Sequence, residues 1–96
     1  MAHLKRSLAK HSAAGKRLIG AMREVRALEF ARRVRVVREN LGLSQSEFAR
    51  RFGLSLRSLQ EWEQARRLPD VAVLTYLRVI ERNPGAVQAA LKPNAA

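Results

Sequence analysis

The sequence predicts an all-α fold, and three observations predict it. No stretch of useful length alternates apolar and polar residues with a period of two, so no strand is expected. Apolar residues recur instead at helical spacing, as Phe30, Val34, Val37 and Leu41 do at i, i+4, i+7 and i+11. Residues that start and stop helices stand between those runs: Gly42, Ser44, Gly53, Ser55, Asp70 and Asn83-Pro84. With 96 residues the chain allows one domain. A chain of that size buries roughly 60–68% of its unfolded surface, enough for one modest core. Its 47% hydrophobic and 28% charged composition is that of a globular protein.

The elements follow in order. Residues 1–15 carry small residues and basic charge with no acid, which predicts a flexible basic arm; an organelle transit peptide is the alternative reading. The helical domain is expected over 16–92 and a frayed tail over 93–96. Between Lys16 and Leu41 only Gly20 weakens a helix. Leu18, Met22 and Val25 form a second apolar stripe, but Glu29 occupies the position that would continue it. Two helices, or one bent near Ala27–Glu29, are therefore expected. Gly42 ends that run in a conformation that favours positive φ. Ser44 and Glu47 have the spacing of a capping box, with Phe48, Ala49 and Phe52 facing inward. Gly53 stops this short helix, and Ser55 caps the next, in which Leu59 and Trp62 face the core. Val71, Leu74, Leu77, Val79 and Ile80 predict a nearly all-apolar helix, buried or self-associating. Asn83-Pro84 opens a last short helix ending at Leu91.

Charge bears on function. The chain has 19 Lys and Arg against 8 Asp and Glu, a formal net charge of +11. Residues 1–40 hold 11 basic and 3 acidic side chains, net +8; residues 41–96 hold 8 and 5, net +3. Such an excess attracts polyanions, with nucleic acid as the default partner and an anionic membrane surface as the runner-up. No apolar run approaches the roughly 18 residues of a membrane span, and no secretory signal is read. There is no cysteine, so disulfides and thiolate metal sites are excluded. His3 and His11 lie eight apart with no carboxylate nearby, which argues against a metal site. Catalysis needs convergent titratable groups in a pocket, and eight scattered carboxylates on a small core do not supply one. No enzyme, cofactor or metal is expected.

Two short helices joined by a glycine turn suggest a helix-turn-helix over 44–64. The second helix, 55–64, would lie in the major groove, and that requires a polar outer face. Arg57, Gln60, Glu61 and Gln64 face out there. Leu56 is the apolar exception, at the end where a thymine methyl could meet it.

The segment Leu41–Asp70, LGLSQSEFARRFGLSLRSLQEWEQARRLPD, resembles the helix-turn-helix of the Xre/Cro repressor superfamily. Together with RVIERNPGAVQAAL it is most similar to HigA-type antitoxins of bacterial toxin–antitoxin operons. The resemblance covers about residues 34–91. It implies a five-helix lambda-repressor-like domain, here with a basic N-terminal arm and helix. It implies a cytoplasmic, nucleoid-associated homodimer that binds a palindromic operator in double-stranded DNA and represses its own operon. It also implies a RelE-like toxin partner. A stand-alone phage or plasmid regulator, and a module that mainly neutralises a toxin, are the alternatives. Ala65 stands where the family has glycine; a left-handed residue there would cost alanine about 1 kcal/mol, so a differently shaped turn is expected. The net +8 of residues 1–40 is also poorly suited to a basic toxin.

The resemblance assigns Gln45 to a phosphate. Ser55 and Ser58 would touch phosphates or base edges. Arg57 would grip guanine O6 and N7, for about 1–3 kcal/mol of discrimination. Its plainer reading is an i,i+4 surface pair with Glu61. Gln60 and Glu61 share Arg57's face, and Glu61 belongs over a cytosine amino group or aimed at Arg57. Arg66 and Arg67 would clamp the backbone. Val79, Val87, Ala90 and Leu91 exceed what one small core needs, so the dimer contact is expected on the C-terminal helices.

Overall fold

The computed structural model describes residues 12–93, and every regular element among them is a helix. They are α1 (Ala13–Asn40), α2 (Gln45–Arg51), α3 (Leu56–Glu63), α4 (Val71–Arg82) and α5 (Pro84–Leu91). Most of the expected arm, residues 1–11, lies outside the described residues, as do residues 94–96 of the expected tail. Residues 13–15 of that arm are helical, because Ser12 caps α1 by accepting from the Gly15 amide over 2.8 Å.

The local signals work as their chemistry requires. Ser44 and Glu47 form a reciprocal capping box, the Glu47 amide donating to Ser44 Oγ at 3.1 Å and the Ser44 amide to Glu47 Oε1 at 3.2 Å. The bond from the Ser44 amide holds the Glu47 carboxyl below its ordinary value, since it favours the charged form. Asp70 caps α4 through the Val73 amide at 2.9 Å, and Asn83 caps α5 through the Ala86 amide at 3.2 Å. Pro84 takes the first turn of α5, where its missing N–H costs nothing. Gly42 and Gly53 sit at φ +69° and +65°, each just past a helix end. The next amide folds back in both cases, Leu43 onto Arg38 O and Leu54 onto Ala49 O.

One core joins all five helices. Phe30, Val34 and Val37 of α1 meet Phe48 and Ala49 of α2, Leu59 and Trp62 of α3, Leu77 and Ile80 of α4, and Val87 of α5. Phe30 packs edge-on to Trp62 at 5.9 Å between centroids, and Phe48 lies 4.8 Å from Phe52. The Tyr76 hydroxyl donates to Phe52 O at 2.6 Å and so ties α4 to the turn after α2. Burial raises the Tyr76 phenol above its ordinary value.

Three expectations are corrected. First, α1 is one continuous helix over 28 residues. The phase shift at Glu29 marks a change of exposed face and not a boundary. Its C-terminal half turns Ala27, Phe30, Ala31, Val34 and Val37 to the core, whereas Leu18, Met22 and Val25 are about half exposed. The helix therefore projects beyond the globule. The radius of gyration is 17.4 Å, against about 12 Å for a compact chain of this size. Second, α4 is not buried all round: Leu77 and Ile80 are, but Val71 is 77% exposed and Val79 47%. Third, Val87 belongs to the core and is not in excess of it, while Val79 and Leu91 remain about half exposed.

Candidate nucleic-acid interface

The segment from α2 to α3 is built so that α3 has one face locked and one face free. Leu59 is fully buried and Trp62 nearly so. Glu63, one turn beyond Leu59, is also inward at 4% exposure. A buried carboxylate must be paired, and α1 supplies the partner. Arg38 grips Glu63 with both arms of its fork, Nε to Oε2 at 2.8 Å and Nη2 to Oε1 at 2.7 Å. Its Nη1 also donates to Leu43 O at 3.0 Å. Arg35 Nη2 donates to the Glu63 carbonyl at 2.8 Å. The Glu63 hydrogen bonds raise the Arg38 guanidinium above its ordinary value. Among the described residues no buried side-chain polar atom lacks a partner. The network thus pins the rotation of α3 relative to α1 and so decides which residues face outward.

The outward residues are mostly those the sequence singled out. Ser55 caps α3 by accepting from the Ser58 amide at 3.2 Å, which leaves its hydroxyl proton to donate. Leu56 is exposed at the start of the helix, and Ser58 and Gln60 are half-buried. Arg57 projects furthest, its side chain 89% exposed. Glu61 lies between two guanidinium groups, with Oε1 at 3.4 Å from Arg57 Nε and Oε2 at 3.5 Å from Arg67 Nη1. The carboxylate thus meets Arg57, as the i,i+4 spacing allows, and Arg67 as well. Such exposed pairs hold weakly, so Arg57 can exchange Glu61 for another acceptor. Arg66 is exposed beside Arg67 just beyond the helix.

One position has a partner the sequence did not show, and one departs from expectation. Gln45 opens α2, but its side chain turns to the buried network, Nε2 donating to Glu63 Oε1 at 3.3 Å. This contact braces α3. Ala65 keeps the left-handed shape, at φ +56°. Its amide bonds Trp62 O at 3.0 Å, and the Arg66 amide folds back to Glu61 O at 2.9 Å. This is the closure that Gly42 gives α1, and these bonds hold alanine in a conformation costing about 1 kcal/mol. The turn that aims Arg66 and Arg67 is therefore not reshaped.

Sequence reasoning missed Glu63 and its partners Arg38 and Arg35. A signal was present: Glu63 falls at i+4 from Leu59, on the inward face, where a carboxylate demands a cation. Which arginine answers, 25 residues upstream, is not a local property. No group of three or more His, Asp or Glu among the described residues is placed to hold a metal ion. No helix among them is long and apolar enough to cross a membrane.

Comparison with known proteins agrees with this geometry. Residues 34–75, from the core half of α1 into α4, match the family model described as helix-turn-helix. The chain is 38% identical over 48 residues to antitoxin HigA-2 of Vibrio cholerae, a match covering 50% of this chain and 46% of that protein. It is 40% identical over 48 residues to the uncharacterized HTH-type transcriptional regulator YiaG of Escherichia coli, covering 50% of each. The chain thus spans about half the length of the curated relatives it matches. No solved structure matches it significantly.

Proposed function

We propose, for a chain whose residues 34–75 match the helix-turn-helix family model, that it is a sequence-specific DNA-binding transcriptional repressor. It acts by binding, with α3 in the major groove of a palindromic operator and two copies on one site. The observation that carries this is the contrast within α3: an inner face sealed by Leu59, Trp62 and the Glu63–Arg38 pair, and an outer face led by an 89% exposed arginine. Arg57 reads guanine, released from Glu61 as it does so. Leu56, Ser58 and Gln60 meet neighbouring base edges. Ser55, Arg66, Arg67 and the N-terminal turn of α2 at Gln45 hold phosphates. The net charge of +11 supplies the non-specific attraction that brings DNA to this face.

The likeness to HigA-2 supports the narrower reading of an autoregulating antitoxin, paired with a toxin from the same operon and working in the bacterial cytoplasm. The likeness to YiaG supports a stand-alone regulator instead.

The test is fluorescence anisotropy on DNA from upstream of the gene and on a scrambled duplex, at about 150 mM salt. The expected result is nanomolar binding to the first and a gap of about 10³ or more. Arg57→Ala should weaken operator binding by about 5- to 150-fold, corresponding to 1–3 kcal/mol, and relax preference at one base pair. Equal, weak, salt-sensitive binding to both duplexes would overturn the proposal.

A further inference from the structure

The projecting part of α1 has an unpartnered face, and its pattern says what covers it. Leu18, Met22, Val25, Glu29, Arg32 and Val36 are spaced 4, 3, 4, 3 and 4 apart. That is a heptad seam along one line of the helix. Leu18 is 59% exposed, Met22 47%, Val25 52% and Val36 45%. The seam lies on the side of α1 away from the core. Arg35, bound to Glu63, marks the flank against α3, and Arg33, bound to Glu81 at 3.0 Å, marks the flank against α4. Residues 29, 32 and 36 run between those flanks, where they also border a shallow groove toward Glu81 of α4.

We infer that two copies of this chain pair through α1, antiparallel, along this seam. Charge decides the direction. A parallel pair would set Glu29 against Glu29 of the second copy and Arg32 against Arg32. An antiparallel pair joins a position of one heptad type to the other, and one register matches charge with charge or apolar with apolar in the four central layers, with Met22 meeting Glu39 of the second copy at each end and Leu18 lying beyond the overlap. It places Glu29 opposite Arg32 of the second copy, twice by symmetry, and Val25 opposite Val36, also twice. Shifting by one heptad would set Arg32 against Met22 and Glu29 against Val25, burying charges against apolar groups. In the favoured register the helices overlap over about 20 residues, or ~30 Å. Lys16 and Arg17 then reach the C-terminal end of the other α1, where cations are stabilised. One flank brings Arg26 toward the second copy's Arg33, and Glu81 beside Arg33 offsets that repulsion. The two-fold axis runs perpendicular to both helices. Both α3 helices therefore fall on the same side of the pair. The C-terminal helices also expose apolar groups, Val79 at 47% and Leu91 at 49%, but these form no heptad seam with matching charges, and Val87 is buried.

This pairing is read without DNA, so it stands or fails apart from the DNA-binding proposal. Sedimentation velocity of the full chain at about 10–100 μM, with helix content followed by circular dichroism, tests it. The wild type should be a dimer. Glu29→Arg and Arg32→Glu should each weaken it at least 10-fold, and the double exchange E29R/R32E should restore it to within about 3-fold. Val79→Glu and Leu91→Glu should leave it unchanged. A wild-type monomer throughout this range, single variants that still pair, or a double variant that stays apart would each overturn the inference. Loss of the dimer in the Val79 or Leu91 variants would overturn it in favour of the C-terminal helices.

Discussion

The two halves of α1 are one helix by geometry and two different objects by physics. From Ala27 onward, Phe30, Val34 and Val37 pack into the core, and Arg38 is held by a buried carboxylate. Before Ala27, Leu18, Met22 and Val25 are about half exposed, and Gly20 has nothing within 4 Å of where a Cβ would stand. The half from Ala27 onward is stabilised by tertiary packing. The half before it rests on intrinsic propensity, the Ser12 cap and continuity with its neighbour. An isolated helix of ~14 residues is marginal in water. The lesson is that an unbroken hydrogen-bond ladder says little about where stability resides.

The sharpest way to break this comparison is to remove a charge from each half. Arg38→Ala leaves Glu63 buried and unpaired and should cost about 3–5 kcal/mol in urea unfolding. Arg23→Ala, in the projecting half, should stay within about 0.5 kcal/mol. Equal costs would dissolve the distinction. A smaller effect concerns the globule alone. Ala65→Gly relieves a left-handed alanine and should stabilise by about 1 kcal/mol, seen as a higher unfolding midpoint with an unchanged slope. The smallest belongs to the projecting half. Gly20→Ala should favour the helix by about 0.5–1 kcal/mol there. In dilute, monomeric protein this should appear as slower amide exchange over residues 16–26, with the global midpoint unmoved. A shift of that midpoint by the full amount would mean the helix melts as one unit with the core.

Much of the fold was legible in the sequence because its signals are local. Ser44 with Glu47, Gly42, Gly53 and Asn83-Pro84 each act within a turn or two, and each sits where its spacing implied. The outward face of α3 was legible for the same reason, since Leu59 and Trp62 define the opposite face. Ala65 was misread because strain at one residue was weighed without the two backbone bonds that offset it. The contact of Gln45 with Glu63 was not legible, because the two stand 18 residues apart.

The helical class, the helix ends and the outward residues of α3 follow from backbone geometry and from interactions spanning at most four or five residues, all readable along the chain. That α1 runs through Glu29 unbroken, that Val87 belongs to the core, and that Glu63 is answered by Arg38 from 25 residues away emerge only once the helices pack. Those choices depend on which surfaces meet in space. A periodic pattern shows that a face is apolar, and only packing shows what, if anything, covers it.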